Sequence, residues 1–323
     1  MVTTVTIATH VAHGYDRYYV RTMLKAARPL LVHTRWGQVK DIPQNSTDVI
    51  RFRRYSLLAV ATTALTEGTT PAGKTVSVTN IGGTVLQYGD YIEYSDWVSY
   101  VSPDPTLTEF ADLLGQQAGN TIDQLCRNVM NAGTTVQYAG GVAGTSSVTI
   151  NDKFTRVEVR KAVRTLQQND AMKVTSMVDA GTGFNTSPLN AAFIGIIGEE
   201  TLFDLKTESG WLPVEEYASK ADVMEGEVGA LDEVRFVSTT NSSTSSTAGV
   251  GGITVHQSLI LGRDYYGISR ISGKALQNIN KPLGSSGTAD PLNQRATSGW
   301  VATFVAIRLN ENFCVRVEHA VTA

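Results

Sequence analysis

Cysteine is nearly absent: Cys126 and Cys314 are the only two in 323 residues. Two thiols cannot build a disulfide scaffold or a zinc ribbon, so a reducing cytoplasm is expected, with both sulfurs buried and inert. Charge is also sparse, at 18% Asp, Glu, Lys and Arg against 42% hydrophobic residues. Water-facing surfaces normally carry more, which implies that other copies cover much of this surface. A basic excess is missing. The net charge of −3 argues against a binder that works by neutralising phosphates. No run reaches the ~18 apolar residues of a membrane span, and MVTTVTIATH lacks a basic-then-apolar signal, so no membrane partner is expected. His10, His13, His33, His256 and His319 show no metal-ligand spacing, and no G-x-S-x-G nucleophile elbow occurs. No catalytic, cofactor or metal residue is assigned.

What is present centres on residues 104–133. Leu107, Phe110, Leu114, Ala118, Ile122, Leu125 and Val129 recur at steps of three and four, the stripe of an amphipathic helix. Asp104 with Pro105, or Thr106 with Glu109, can open it, and Gly133 offers a left-handed stop. Such a helix spans about 40 Å. Gly115 and Gly119 each cost about 1 kcal/mol relative to Ala, so packing must hold it together. The rest of the chain is expected to hang from this beam.

Ahead of it, Tyr15 to Leu31 reads as a helical patch, either an arm lying on another body or an ordinary N-terminal helix. Two strands follow, Asp48 to Tyr55 and Val85 to Tyr94, around a Thr/Gly-rich tip at Thr62 to Gly83. Arg51, Arg53 and Arg54 on the first would face Asp90 and Glu93 on the second, as suits an antiparallel ribbon. A two-stranded ribbon is marginal alone and needs a partner surface. Behind the beam come a Gly-rich turn or hairpin at 136–150 and a helix at 153–168 capped by Asp152, with Val159, Val163 and Leu166 inward. Phe193 to Ile197 is all apolar, the pattern of a strand covered on both faces. A short helix at 201–206, strands at 234–237, 253–261 and 266–271, and a surface loop at 238–252 follow. Trp300 to Leu309 and Phe313 to His319, joined at Asn310-Glu311-Asn312, read as a hairpin.

Two constellations suggest chemistry. Gly68 to Thr75 satisfies the phosphate-loop pattern G-x-x-x-x-G-K-[ST]. Its exit, Thr75 to Thr79, is strand-like, and Pro71 removes a backbone donor, so the helix end that would hold phosphate is missing. The acidic groups Glu199-Glu200, Glu215-Glu216 and Asp222-Glu225-Glu227 read as a solvated rim or as contacts to cations of another copy.

Five stretches carry a family resemblance. RFRRYSLL (51–58), LTEG followed by Pro71, QYGDYIEYSD (87–96), GEVGALDEVRFVSTT (226–240) and DPLNQRATSGWVATFVAIRLNENFCVRVE (290–318) resemble the major capsid proteins of N-four-like tailed phages. The resemblance covers the chain from about Leu30 onward. It implies an α+β chain with the tailed-phage (HK-ninety-seven-type) capsid fold: an N-terminal arm at 1–45, an extended hairpin loop at 46–97, a peripheral domain at 98–184 with a spine helix at 105–131, an axial domain at 185–275 and a return to the peripheral sheet at 276–323. It also implies a non-enzymatic subunit that assembles in the host bacterial cytoplasm into hexamers and pentamers of an icosahedral virion shell. The implied partners are further copies, packaged double-stranded DNA held non-specifically, and scaffolding, portal and decoration proteins. Lacking a long N-terminal extension, the chain is expected to have no fused scaffolding segment, or to have lost it. Arg51, Arg53, Arg54, Glu67, Asp90 and Glu93 are the expected subunit-interface residues. A tail-tube or portal-like virion protein is the alternative, and a phosphate-loop NTPase the remote one.

Overall fold

The structure, a computed structural model, describes Met23 and residues 31–56, 58–101, 106–176, 190–217, 223–285 and 290–322. In chain order the strands are β1 (Gln38–Val39), β2 (Val49–Tyr55), β3 (Val78–Thr84), β4 (Leu86–Ser95), β5 (Val136–Tyr138), β6 (Phe193–Gly198), β7 (Trp211–Pro213), β8 (Glu227–Leu231), β9 (Val234–Thr239), β10 (Ser243–Ser245), β11 (Val255–Leu261), β12 (Tyr266–Ser269), β13 (Gln277–Lys281), β14 (Arg295–Arg308) and β15 (Cys314–His319). Helices cover Asp96–Val101, Thr106–Asn131, Arg156–Gln168 and Glu199–Lys206. The predicted patch at 15–31 lies outside the described residues except for Met23 and Leu31, both in the central core.

The long helix is there, 26 residues from Thr106 to Asn131. Its proposed N-caps at Asp104 and Pro105 fall outside the described residues. Ala111, Leu114, Gly115, Ala118, Gly119, Ile122, Cys126 and Met130 form its buried stripe. Small residues at four of those positions let the helix lie close on the sheet, which offsets the propensity cost of the two glycines. The stop differs from the expectation. Gly133 does not enter the left-handed region; a Cβ there would sit 2.9 Å from the Tyr265 hydroxyl, which bonds the Met130 carbonyl at 2.7 Å. Glycine is required for close approach, and not for backbone handedness.

This spine serves two sheets at once. Its buried residues share one core with Ile194, Ile196, Val237, Leu259 and Leu261 on one side and Tyr266, Ile268, Trp300, Ala302 and Phe304 on the other. The first set belongs to an eight-stranded sheet in the order β5-β15-β11-β6-β9-β8-β7, with β10 also on β11. Within β6, Ile194 and Ile196 face the spine, while Phe193 and Ile197 face the helix at 156–168 with Val159, Val163 and Leu166. Alternate residues thus bury on opposite faces, as the all-apolar run predicts. Asp152 does not cap that helix. Its carboxylate accepts from the amide and hydroxyl of Thr149, both at 2.8 Å, and Thr155 holds the N-cap position without a side-chain bond. Between them, residues 136–150 make β5 and short 3-10 turns, and no hairpin.

The second sheet is built on β14. β4 runs along its residues 295–304, β13 along 297–301 and β12 along 305–308, with β1 beside β12. Because β4 and β13 overlap on β14, they must flank it on opposite edges. The expected hairpin at Asn310 does not form. β14 and β15 enter different sheets through a 3-10 turn at Glu311–Phe313, since β15 finds β11 and β5 instead.

A buried polar hub ties these parts together. Asp123 of the spine accepts from the His33 amide and ring at 2.7 Å each and from Asn241 at 2.8 Å. Asp123→Asn turns one acceptor into a donor among donors, so we predict a loss of about 2 kcal/mol in chemical denaturation. An unchanged midpoint would contradict the hub's role.

Candidate subunit interface

The ribbon begins where β2 leaves the body. Ile50 and Phe52 point inward to Ile42, Val85 and Leu309, and Phe52 presses on Gly267, where a Cβ would come within 2.7 Å of the ring. That packing anchors the base. From Arg53 to Asn80 every described residue is exposed. Leu58, Val60 and Leu65 are 55%, 83% and 78% exposed, an apolar content that water does not favour.

The partner of β2 is β3, in register from Val49–Thr84 to Tyr55–Val78, and not β4. The expected charge pairing across the ribbon is therefore absent: Arg51 faces Gly82, Arg53 faces Asn80 and Arg54 faces Thr79. Asp90 and Glu93 lie in the β14 sheet opposite Trp300 and Thr297. Gln117 of the spine donates to Asp90 at 2.6 Å and holds its carboxyl below the usual range; Glu93 stands 3.5 Å from Arg295. Consequently only part of 46–97 projects, because β4 is seated on its own sheet.

Of the predicted residues, Arg51 and Arg53 do converge. With Gln38, Lys40, Phe52 and Asn80 they line a cleft of about 470 Å³, and the Lys40 ammonium lies 5.9 Å from the Phe52 ring centroid. Three cations and no carboxylate line this cleft. Arg54 instead donates to the Leu309 carbonyl at 3.3 Å. Glu67 is exposed at the tip, next to Gly68 with φ +77. The phosphate-loop pattern makes no cradle: Lys74 donates to the Ala59 carbonyl at 2.7 Å, and the chain runs on into β3, with no helix.

The acidic rim is partly a misreading. Glu225 lies 3.7 Å from Arg35 and Glu200 3.2 Å from His256, while Glu227 is buried against Arg235 of its own chain. Sequence reasoning also missed a second apolar surface, with Trp97 68%, Tyr100 76% and Leu292 75% exposed around a cleft of about 690 Å³. The signal was available: DWVSYV puts two aromatics in a helix too short to bury both.

Spine helix, paired sheets and projecting ribbon make up the tailed-phage (HK-ninety-seven-type) α+β fold. The chain superposes on the capsid of Ralstonia phage GP4 with a TM-score of 0.65 at 13% identity, over 88% of this chain and 87% of that one. The capsid of Cyanophage P-SCSP1u gives 0.62 at 11%, over 90% and 89%. An encapsulin complex from Synechococcus elongatus gives 0.55 at 6%, over 89% and 86%. No protein-family profile matches the sequence, and no curated protein sequence matches it either. Among the described residues no helix is long and apolar enough to cross a membrane.

Proposed function

We propose that this chain is the major capsid protein of a tailed phage, a non-enzymatic subunit that builds an icosahedral head from hexamers and pentamers of itself around double-stranded DNA. The observation that carries this reading is the ribbon: a seated base, then more than twenty residues of partly apolar chain that no described residue of its own body covers. A head subunit that reaches over its neighbour explains such an arm, and rings of six and five require one sequence to make slightly different contacts. In this reading the peripheral domain is 98–184 with its return at 276–323, the axial domain is 185–275, and the arm at 1–45, the ribbon and the axial loops are the adjustable parts. Arg51, Arg53, Arg54 and Glu67 make intersubunit contacts, with Asp90 and Glu93 beside them. The protein resides in the virion after assembly in the host bacterial cytoplasm, with scaffolding, portal and decoration proteins as further partners. The mild negative charge suits a container that must release its DNA.

The experiment is purification of the chain alone and electron microscopy of what it forms. Closed spherical particles support the reading, open tubes or single rings favour a tail-tube or portal-like protein, and a compact monomer at every concentration removes it. Arg53→Glu with Arg54→Glu is predicted to give folded, soluble subunits, by circular dichroism, that build no shells. Normal particles from that double variant would count against the role of the arginines.

A further inference from the structure

β4 is an edge strand of ten residues whose outer edge no described strand covers. Its two edges can be told apart. The Asp96 amide donates to the Gln294 carbonyl at the end of β14, so even-numbered residues aim their backbone at β14. The amides and carbonyls of Gln87, Gly89, Tyr91 and Glu93 therefore point outward, and among the described residues only the Tyr91 amide finds a partner, the Asp90 side chain at 2.8 Å. Long edges are normally blunted by charge, Pro, a bulge or short length, and the two charges of β4, Asp90 and Glu93, are held by Gln117 and Arg295 of its own chain. β4 has no Lys and no Pro, and its register with β14 is unbroken over ten residues.

The same chain exposes a segment fitted to such an edge. Residues 58–66, Leu-Ala-Val-Ala-Thr-Thr-Ala-Leu-Thr, hold no charge, no proline and no glycine. They are exposed throughout and make no ladder with any described residue; the Ala59 and Thr66 carbonyls accept single local bonds from Lys74 and Thr69. With Val60, Thr62, Thr63 and Thr66 β-branched and no charge to repel a partner, the segment can add to a free edge, and nine extended residues span about 30 Å, close to the length of β4.

We propose that residues 58–66 of one copy add as a strand to the outer edge of β4 in a second copy. The ribbon then contributes backbone hydrogen bonds to its neighbour, while the cations at its base contribute charge. Strand addition is heterologous, since donor segment and acceptor edge are different surfaces, so the contact propagates around a ring. This inference rests on the reading of the chain as a self-assembling subunit.

The test uses the full chain, whose own Cys126 and Cys314 are buried. One preparation carries Gln87→Cys or Tyr91→Cys on β4, and the other carries a single cysteine stepped along residues 58–66. After mixed assembly and mild oxidation, strand addition predicts disulfide-linked dimers that alternate along 58–66 with a period of two and shift by four positions between the two acceptors. Val60→Pro with Thr62→Pro should abolish both the links and the assembly, whereas Val60→Thr with Thr62→Val should keep both. Shells that form with links absent or without that period overturn this contact and leave the capsid reading intact. Protection of the edge by residues 1–22 of a second copy, seen as links to that segment, also overturns it. A chain that stays monomeric overturns both.

Discussion

Glu227→Ala is expected to destabilise the subunit by about 3–5 kcal/mol, the usual result of removing one partner of a buried ion pair. β8 and β9 bring Glu227 and Arg235 together beside a register shift between Glu227 and Gly229. Their side chains are 0% and 4% exposed, and the guanidinium donates through Nε at 2.7 Å and Nη2 at 2.5 Å, a two-pronged grip. The Tyr217 hydroxyl donates to the same carboxylate at 2.8 Å and the Met224 amide at 2.9 Å. Burial first, and then this carboxylate, push the Tyr217 phenol far above its ordinary range, so it stays a neutral donor. Alanine at 227 takes the carboxylate from all three donors in a site from which water is excluded. Glu227→Met with Arg235→Met removes both charges and should recover most of the loss. Urea unfolding of the single and double variants decides the matter. A double variant as unstable as the single one would show that the loss comes from packing and the unmet Tyr217 and Met224 donors, and not from the stranded charge.

Acid should weaken the fold through His319, by about 3 kcal/mol between pH 6.5 and pH 4. The ring is wholly buried, stacked on Phe154 at 5.0 Å and bonded to the Ser258 hydroxyl at 2.9 Å and the Ala320 carbonyl at 3.0 Å. Burial above all pushes its pKa down to about 4; His256, its direct cross-strand partner on β11, pushes the same way, while the Ala320 carbonyl and Asp204 oppose. His256 is itself lowered, by burial against the pull of Glu200. The unfolded chain takes up the proton near pH 6.5 and the folded chain only near pH 4. The stabilising contribution is therefore complete above pH 6.5 and is lost as pH falls towards 4. Comparing wild type with His319→Gln removes the background of other titrating groups. Their stability difference should shrink by that amount on acidification, and a difference that does not change with pH would refute the assignment.

Legibility followed the range of the interaction. The spine helix was readable because a period near 3.6 over 26 residues needs nothing outside its own stretch. Its inward stripe came out rotated. Ala111, Gly115 and Gly119 are small enough to be pressed against a sheet, and a hydrophobicity pattern gives such residues little weight. Both thiols are buried, as expected, and burial pushes Cys314 up to about 12 and Cys126 well above its ordinary value. The sequence placed Arg51, Arg53 and Arg54 on one strand, which is β2, but paired that strand with the wrong neighbour. Asp90 and Glu93 carry the complementary charge, yet β4 gains more by burying Tyr88 and Ile92 against the spine than an exposed pair of charges could return.

By itself the sequence determined the local conformations: the beam, the doubly buried β6, the strand that opens the ribbon, and an exit from the Lys74 segment that cannot serve as a phosphate cradle. Tertiary structure alone decided which edges meet, sending β3 to β2, β4 to β14 and β15 away from its apparent hairpin partner into the sheet of β11. Periodicity is written in a few neighbouring residues and fixes which kind of element they form. Strand pairing is a competition among all edges that the folded body brings within 5 Å of one another, and distance along the chain does not record its outcome.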